Sequence, residues 1–478
     1  MKIKITEEIL LKIGDIADAH KFEIYVVGGY VRDYFLEKER NDFDITVVGD
    51  SLAFTILVAK EFNSTPVIYE RFRTGMVPIG KHKVEFVGTR KEEYSELSRK
   101  PLVVEGTLFD DLKRRDFKVN SMAASLNKLN FGILIDEFDG LNDLNNKILQ
   151  TPLDPIVTYS DDPLRMMRAA RFASQLQFRI EETSFEAIIK MSNRIKIISQ
   201  ERISDEFFKI LSSPKPSIGL YILFNTGLLQ HIFPEVYSLS GVDIVSKGDI
   251  NFAHKDVFKH TLKVLDNISL MTENVWLRFA ALTHDIAKPK TKKYIEGIGW
   301  TFYAHEEIGS KWMPKIFSRM KLPLSNLEYV QKLIRLHQRP MTLVEDGVTD
   351  SAIRRLAVQA GDALEDLFTL CRADITTKNP NLSSQYLLNY DLVTQKIIEV
   401  QDRDKLREFQ SPVKGEEIMK LCNINPSKLV GFLKFNIEEA ILEGVIPNEY
   451  NLALEYFLKN KEVWLTEFDD SKYRSGHR

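Results

Sequence analysis

The sequence predicts an α+β protein in which an N-terminal mixed sheet with helices is followed by an all-helical remainder. Helix and strand patterns alternate over residues 1–150, whereas no clear strand pattern occurs after about residue 160. A chain of 478 residues is also too long for one core, and its length suggests about three domains.

The elements of the N-terminal part follow from apolar periodicity. Ile5–His20 and Leu52–Phe62 have helical spacing, and Asp136–Gly140 is typical of a turn. Short apolar runs predict strands at Ile24–Val27, Phe43–Val48 and Lys83–Val87. Pro152 and Pro155 then break the pattern, because the residue before a proline is disfavoured in a helix. The first domain is therefore expected to end near residue 152.

The remainder is predicted to be helical. Helical spacing is found at Pro163–Leu176, Glu182–Met191, Ser204–Leu211, Ile218–Leu229 and Leu387–Leu465. The less periodic stretch Ser238–Asn251 precedes a helical segment, His254–Thr376, which holds most of the histidines, and Asp469–Arg478 is expected to be a polar, mobile tail. We therefore expect a head at 1–152, a helical neck and body at 153–245, a histidine-bearing domain at 246–378 and a helical tail at 379–478.

Composition and charge describe an ordinary soluble globular protein. Hydrophobic residues make up 44% of the chain and charged residues 28%. The formal net charge of −3 gives no bulk attraction for nucleic acid, so any basic surface must be local. The two cysteines exclude a disulfide framework, and no apolar run reaches the ~18 residues of a membrane span. The N-terminus has the pattern of an amphipathic helix and not of a signal peptide, so we expect a cytoplasmic protein with no membrane partner.

A double glycine and a pair of aspartates form the first candidate site. Gly28 and Gly29 follow an apolar run, Arg32 and Asp33 open a helical segment, and Asp42 and Asp44 come next. Residues i and i+2 of a strand point to one face, so the two carboxylates converge on the side where the glycines admit phosphate. This combination predicts a two-metal phosphoryl-transfer site. Glu85, on a later strand, is a candidate third carboxylate, with a simple strand-edge acid as the alternative.

Two further segments carry charged groups suited to a nucleotide. Arg114 and Arg115 offer planar forks for phosphate oxygens, and Asp116 and Asn120 can bond a ribose or fix the arginines; the alternative is a charged helix start. Asp162 and Arg165 lie three residues apart, so an acceptor and a donor share one helix face and can read the edge of a base. The same Asp-Pro sequence is also typical of a helix N-cap, and the two roles are compatible.

Histidines and aspartates form an ordered series in the C-terminal half. The series is His260, His284, Asp285, His305, His337 and Asp374. Imidazole and carboxylate ligands with positions left for water suit a hydrolytic site with one or two divalent transition metal ions. The series resembles the HD phosphohydrolase superfamily, with Lys288 as the basic residue after the His-Asp pair. The alternative is a degenerate HD fold kept for packing or RNA contact.

The N-terminal motifs resemble those of one family. GGYVRD, DFD, RRDFKVNSMAA, DEFDG and DDPLRMMRAARFA occur in the order typical of the bacterial class II CCA tRNA nucleotidyltransferase/poly(A) polymerase family, over about residues 20–235. The resemblance implies a nucleotidyltransferase head with a polymerase beta-like mixed sheet, followed by a helical neck, body and tail. Glu201, Arg202 and Glu206 resemble the last motif, which supports the selecting helix.

The resemblance also implies roles for the residues. Asp42 and Asp44 become the catalytic carboxylates that hold Mg²⁺, and Asp162 and Arg165 become the pair that selects CTP and ATP. The other nucleotide-binding residues are then Gly28, Gly29, Arg32, Asp33, Arg114, Arg115, Asp116 and Asn120. Arg168 and Arg171 are basic candidates for nucleotide or tRNA phosphates.

The favoured function is the template-independent addition of C, C and A to the 3′ end of tRNA. An A-adding enzyme or a poly(A) polymerase would need the same catalytic residues and stays open. Two alternatives belong to other functional classes. One is an HD phosphohydrolase with a regulatory head, which the intact Asp42 and Asp44 pair argues against, and the other is a non-catalytic RNA-binding protein. The sequence does not determine the oligomeric state.

Overall fold

The computed structural model describes residues 1–40, 42–95, 98–241, 246–247, 250–251, 256–345, 349–404 and 411–468. The chain divides into two compact units, Met1–Tyr237 and Ser238–Arg478. The predicted α+β class is confirmed, since a mixed sheet forms the N-terminal part and helices dominate the rest. The finer division into four domains stays a prediction. No helix within the described ranges is long and apolar enough to cross a membrane.

The strands of the first unit lie mostly before residue 150. They are β1 (Glu23–Val27), β2 (Phe43–Val48), β3 (Val67–Tyr69), β4 (Thr74–Ile79), β5 (His82–Gly88), β6 (Arg90–Ser95), β7 (Ser98–Glu105), β8 (Ala123–Ser125), β9 (Leu134–Ile135), β10 (Ile148–Leu149) and β11 (Arg179–Ile180).

The helices of the first unit flank the sheet and then continue alone. They are α1 (Glu8–His20), α2 (Gly29–Phe35), α3 (Ser51–Glu61), α4 (Leu108–Lys113), α5 (Gly140–Asn145), α6 (Pro155–Asp161), α7 (Leu164–Leu176), α8 (Glu182–Met191), α9 (Gln200–Leu211), α10 (Pro216–Asn225), α11 (Leu228–Ile232) and α12 (Pro234–Tyr237).

The sheet places β2 at its centre. Within the described residues, seven strands run in the order β3-β4-β5-β2-β1-β8-β9, and β2 is parallel to β5 but antiparallel to β1. Phe43, Ile45 and Val47 are buried, whereas Asp44 on the other face is exposed. This alternation is what a strand with one face in the core requires. It leaves the polar face of β2 beside the glycine turn, because β1 ends where β2 begins.

The second unit is built from helices with two short hairpins. Its helices are α13 (Val257–Ser269), α14 (Val275–Thr283), α15 (Lys288–Thr291), α16 (His305–Met320), α17 (Leu327–Leu336), α18 (Arg339–Glu345), α19 (Asp350–Ala360), α20 (Leu364–Asp374), α21 (Pro380–Asp404), α22 (Gly415–Cys422), α23 (Lys428–Leu442) and α24 (Tyr450–Glu467). Its strands are β12 (Ser246–Lys247), β13 (Ile250–Asn251), β14 (Lys293–Ile295) and β15 (Gly299–Thr301).

The expectation of no strand after about residue 160 is wrong. β11 pairs with β10, and the β12–β13 and β14–β15 pairs form hairpins. Each of these strands has two or three residues, which is too short for an alternating pattern to be recognised. The predicted mobile tail, Asp469–Arg478, lies outside the described residues.

Candidate active site

Two of the three predicted catalytic carboxylates lie side by side on the central strands. The parallel register pairs Asp44 of β2 directly with Glu85 of β5, and both side chains are exposed. Asp42 immediately precedes β2 and is exposed as well. As a set, the three carboxylates do not all approach within 4.8 Å of one another. Asp44 and Glu85 nevertheless line one cleft of about 190 Å³, together with Arg114 and Arg115.

The electrostatics of these acids fit a cation. Although solvent reaches Asp44, loss of hydration raises the pKa of its carboxyl; Arg115 opposes this effect and Asp42 adds to it. Loss of hydration also raises the pKa of Glu85, with further contributions from the charges of Asp44 and Asp42. Carboxylates that repel one another at an open cleft are stabilised by a hard divalent cation. The donor set therefore fits Mg²⁺.

The glycine turn lies against one of the cleft arginines. Gly28 caps α2 with φ +66° and ψ −118°, a conformation that is strained for residues with a side chain. A Cβ atom at this position would lie 2.8 Å from Arg115 Nη1. Gly28 is therefore required both by its backbone conformation and by the position of the Arg115 guanidinium.

We expect Gly28→Ala to reduce nucleotide incorporation by about 100-fold, since a displaced phosphate-binding group misplaces the reacting atoms. The backbone strain should also lower the free energy of unfolding by about 1–3 kcal/mol. Steady-state incorporation assays and thermal unfolding measure the two effects. Gly80→Ala is the matched control, because Gly80 also has a positive φ of +59° but has no atom within 4 Å of an added Cβ. Equal losses of activity in both variants would contradict the role of Arg115.

Arg114 and Arg115 are both held by an acid that the sequence analysis did not single out. Asp111, within α4, is fully buried. It accepts hydrogen bonds from Arg114 Nε at 3.1 Å and from Arg115 Nη2 at 3.2 Å. Burial opposes its charged form, but Arg115 and Arg114 outweigh this effect and lower its pKa. Its i,i+3 and i,i+4 spacing from the arginines was a usable signal, although many surface pairs share it.

The side chains of Asp116 and Asn120 hold arginines other than Arg114 and Arg115, although Arg115 Nη1 donates to the backbone oxygen of Asn120 at 3.4 Å. Asp116 Oδ2 accepts from Arg168 Nε at 2.7 Å, and Asp116 Oδ1 accepts from Asn120 Nδ2 at 3.1 Å. Asn120 Oδ1 in turn accepts from Arg32 Nη1 at 2.8 Å, and Arg32 forms a two-pronged pair with Asp33, at 2.8 Å for each bond. Of the two alternatives for Asp116 and Asn120, the structure favours the one in which they hold guanidinium groups. The resulting network joins the turn of α2 to α7.

The predicted base-reading pair lies at the start of α7. Asp162 precedes the helix and caps it, because Asp162 Oδ1 accepts from Leu164 N at 3.1 Å; its Oδ2 accepts from Arg202 Nη2 at 3.1 Å. Arg165 donates to the backbone oxygens of Thr158, at 3.2 Å, and of Arg114, at 2.7 Å. The cap and the predicted support from the Arg202 segment are both present. Asp162 is thus tied to α9, and Arg165 is tied to the arginine pair.

Arg171 forms a buried ion pair with Glu206 of α9. Arg171 Nε lies 2.7 Å from Glu206 Oε2, and both side chains are largely buried. The guanidinium groups of Arg32, Arg168 and Arg171 all lie within 5.3 Å of the Phe172 ring centroid, at contact distances for cation–π interactions. Phe172 is a further residue that sequence reasoning missed. Its aromatic spacing on a helix is indistinguishable from that of an ordinary core residue.

In the second unit, all six members of the predicted histidine and aspartate series converge. His260, His284 and Asp285 place one ligand atom each within 4.8 Å of one another, and so do Asp285, His305 and His337. Asp285 belongs to both groups, with Oδ2 3.2 Å from His284 Nε2 and Oδ1 3.2 Å from His305 Nε2. Asp374 Oδ1 completes the cluster at 2.9 Å from His260 Nε2.

Backbone contacts orient the imidazoles toward the centre of this cluster. The Nδ1 atoms of His284, His305 and His337 lie 2.7, 2.8 and 2.7 Å from the backbone oxygens of residues 281, 302 and 334. Nδ1 therefore carries the proton in each ring that is neutral, which leaves the Nε2 lone pair free for a metal. Lys288 Nζ contacts Asp285 Oδ2 at 2.7 Å.

The donor set of the cluster fits a divalent transition metal. Three buried atoms, His284 Nε2, Asp285 Oδ1 and Asp374 Oδ1, each lie within 3.2 Å of an imidazole nitrogen or carboxylate oxygen of another member of the cluster. Burial lowers the pKa of His337 to about 3, which keeps that imidazole neutral. Burial also disfavours the charged form of His284, but Asp285 and Asp374 outweigh it and raise its pKa to about 10. Buried carboxylates that attract a cation this strongly, beside the neutral imidazole of His337, offer the ligand types that a divalent transition metal takes.

Comparison with family models defines the class of protein. Residues 24–150 match the poly A polymerase head domain, residues 177–239 match the probable RNA and SrmB-binding site of polymerase A, and residues 257–376 match the HD domain. The cleft residues on β2, β5 and α4 lie in the first of these ranges, and the histidine cluster lies in the third. The chain is a nucleotidyltransferase with an HD domain.

Relatives and solved structures narrow this class to a family. The chain is 31% identical over 320 residues to the multifunctional CCA protein of Shewanella frigidimarina, covering 63% of this chain and 70% of that protein. It is 28% identical over 348 residues to the A-adding tRNA nucleotidyltransferase of Deinococcus radiodurans, covering 71% and 76%. The fold matches the CCA-adding enzyme of Bacillus stearothermophilus in complex with CTP, with a TM-score of 0.68, 18% identity and coverage of 98% and 100%. The chain belongs to the CCA tRNA nucleotidyltransferase/poly(A) polymerase family, as its motifs predicted.

Proposed function

We propose that this protein adds C, C and A to the 3′ end of tRNA, with CTP and ATP as substrates. The observation that carries the proposal is the cleft in which Asp44 and Glu85 face Arg114 and Arg115, one arginine being tied to the base-reading helix through Arg165. Similarity to the A-adding tRNA nucleotidyltransferase of Deinococcus radiodurans supports tRNA as the acceptor and the addition of A, and the likeness in fold to a CCA-adding enzyme in complex with CTP supports the use of CTP. The expected location of such an enzyme is the cytoplasm.

In this proposal, the cleft arginines bind the phosphates of the nucleotide and the carboxylates hold the metal. The Arg115 guanidinium is held against the glycine turn and lines the cleft, where its positive charge suits a phosphate oxygen. Arg114 lines the same cleft. Mg²⁺ held by Asp42 and Asp44, in a two-metal arrangement to which Glu85 adds a carboxylate, would activate the RNA 3′ hydroxyl and offset the charge of the leaving pyrophosphate.

The pair at the start of α7 has hydrogen-bonding capacity left for a base. Arg165 has five N–H donors, and its contacts with the backbone oxygens of Thr158 and Arg114 use its terminal nitrogens. Asp162 accepts one bond at each oxygen and has further lone pairs. Cytosine and adenine both present an amino donor next to a ring nitrogen acceptor. Uracil and guanine present the reverse pattern. A carboxylate acceptor beside an arginine donor therefore selects C and A against U and G.

The deciding experiment supplies purified protein with tRNA transcripts that end at the discriminator base. We expect two additions from CTP, then one from ATP, and then arrest. Transcripts that already end in CC serve as the matched substrate and should accept a single A. Incorporation of A into the CC transcripts alone would instead identify an A-adding enzyme, and unlimited adenylation would identify a poly(A) polymerase.

A second activity is proposed for the histidine cluster of the HD domain. The cluster contains two groups of ligand atoms that share Asp285, which suits a pair of divalent transition metal ions. Such ions would supply a metal-bound water for attack on phosphorus. We assign the cluster to hydrolysis of phosphate monoesters or cyclic phosphodiesters. The observation that favours this role over simple packing is the convergence of buried imidazole nitrogens and carboxylate oxygens in two groups around Asp285.

A further inference from the structure

Asp111 occupies a position between the catalytic strand and the two cleft arginines. Its side chain is fully buried within α4. This helix begins with a capping box formed by Thr107 and Asp110. Asp111 does not line the cleft itself, whereas Arg114 and Arg115 do. A buried acid behind two cleft arginines has no direct access to a nucleotide, so any role in the reaction must act through the groups that it touches.

Both oxygens of Asp111 are engaged. Oδ1 accepts from Arg114 Nε at 3.1 Å and from Arg114 Nη2 at 2.5 Å. Oδ2 accepts from Arg115 Nη2 at 3.2 Å and from the hydroxyl of Thr46 at 3.3 Å. Thr46 lies two residues after Asp44 on β2 and therefore points to the same face of the sheet. Asp111 thus connects the strand that carries Asp44 to both arginines.

These contacts restrict each arginine to one orientation. Arg115 donates from Nη2 to Asp111 and from Nη1 to the backbone oxygen of Asn120. Its Nε has no hydrogen-bond partner among the described residues. Arg114 uses two nitrogens on a single carboxylate oxygen. Two neighbouring guanidinium groups repel each other, and a shared buried carboxylate both offsets that repulsion and fixes their separation.

We propose that Asp111 is a positioning residue for the nucleotide triphosphate, which orients Arg114 and Arg115 relative to Asp44. The inference rests on the proposed nucleotidyltransferase function. Asp111 acts through Arg114 and Arg115 and does not itself touch the substrate. Its consequence is that the correct placement of the arginines, and not only their positive charge, determines phosphate affinity.

Asp111→Asn separates placement from charge. The substitution removes a negative charge beside the arginines, so the Coulomb field alone would make binding of a polyanion equal or tighter. Loss of the charge-assisted hydrogen bonds that orient both guanidinium groups has the opposite effect and should weaken binding by about tenfold. Calorimetric titration of the full chain with ATP and with inorganic tripolyphosphate shows whether the substitution strengthens or weakens binding. In steady state, the KM for CTP should rise by a similar factor while the KM for tRNA stays unchanged.

Asp110→Asn is the matched control. Asp110 precedes Asp111 in the same helix and carries the same charge, but it bonds Thr107 and Lys113 instead of the cleft arginines. Its substitution should leave polyphosphate affinity unchanged. Equal or tighter binding of tripolyphosphate to folded Asp111→Asn protein would overturn the proposal, as would equal weakening in both variants.

A second variant keeps the test decisive if Asp111→Asn protein does not fold. Thr46→Val preserves side-chain shape and removes only the hydroxyl that donates to Asp111, so we expect tripolyphosphate affinity to fall by about threefold. Unchanged affinity in Thr46→Val would then count against the proposal. Wild-type protein that neither binds ATP nor extends tRNA would refute the proposed function. Wild-type protein that does both beside an unimpaired Asp111→Asn variant would refute only the role of Asp111.

Discussion

Replacement of Asp44 by asparagine is expected to abolish nucleotide incorporation while tRNA still binds. Asp44 is exposed on the central strand of the sheet and is paired in register with Glu85 across the parallel strands β2 and β5. Asparagine keeps the shape of the side chain but removes the charge that a hard cation requires. We expect incorporation of both CTP and ATP to fall by at least about 1,000-fold. Filter binding measures tRNA affinity, which should change little.

The same variant should not be less stable than the wild type. The pKa values of Asp44 and Glu85 are raised, first by loss of hydration and then by neighbouring acids, so the charged forms are disfavoured in the folded protein. When the pKa of a carboxyl is higher in the folded than in the unfolded protein, the free energy of unfolding falls as pH rises through the folded-state pKa. In a chelator at neutral pH, the unfolding temperature of Asp44→Asn protein should therefore equal or exceed that of the wild type.

Asp15→Asn provides the control for this pair of measurements. Asp15 is an exposed acid on α1 and lies outside the cleft. Its substitution removes one charge from the same unit, and we expect both activity and stability to stay close to those of the wild type. Incorporation that survives in Asp44→Asn protein would show that the metal site has been placed on the wrong residues. A large fall in its unfolding temperature would instead show that the loss of activity reflects misfolding.

The sequence predicted β2 to the residue and the HD series completely, for reasons that are physical. Phe43–Val48 is a short run of mostly apolar and β-branched residues, which is the pattern of a buried strand. The histidines and aspartates from His260 to Asp374 are rare residue types in a helical context, and metal chemistry restricts the choice of such groups. Both features are local or compositional properties, so they can be recognised from the sequence without knowledge of the tertiary structure.

What the sequence could not supply was the identity of partners. The sequence predicts that Asp116 and Asn120 bond a ribose or fix Arg114 and Arg115, yet their side chains hold Arg168 and Arg32. Asp111, which does hold the arginine pair, has the spacing of an ordinary surface ion pair. Its significance comes from complete burial, which depends on how α4 packs over β2. Partner choice among several arginines and acids is a tertiary property, because every combination satisfies the same local rules.

Asp285→Asn is expected to remove metal binding and phosphate hydrolysis from the HD domain and to leave nucleotide incorporation intact. Asp285 is the only residue shared by the two groups of ligand atoms found within the described ranges, so its loss affects both. We expect metal content to fall by at least about tenfold, since a neutral amide is a poor ligand and no longer balances the cation. Elemental analysis of purified protein measures the metal directly, without reference to activity.

Hydrolysis is then assayed with a phosphate monoester and with a 2′,3′-cyclic nucleotide, each in the presence of several divalent transition metals. Asp362→Asn, at an exposed acid of the second unit, is the control and should retain both metal and activity. His337→Gln tests the same site without disturbing the ion pair between Asp285 and Lys288. Because the predicted nucleotide-binding residues all belong to the first unit, incorporation of C and A should be the same in all three variants. Wild-type protein that binds metal but hydrolyses neither substrate would favour a structural role for the cluster, and a parallel loss of incorporation in Asp285→Asn protein would contradict the separation of the two activities.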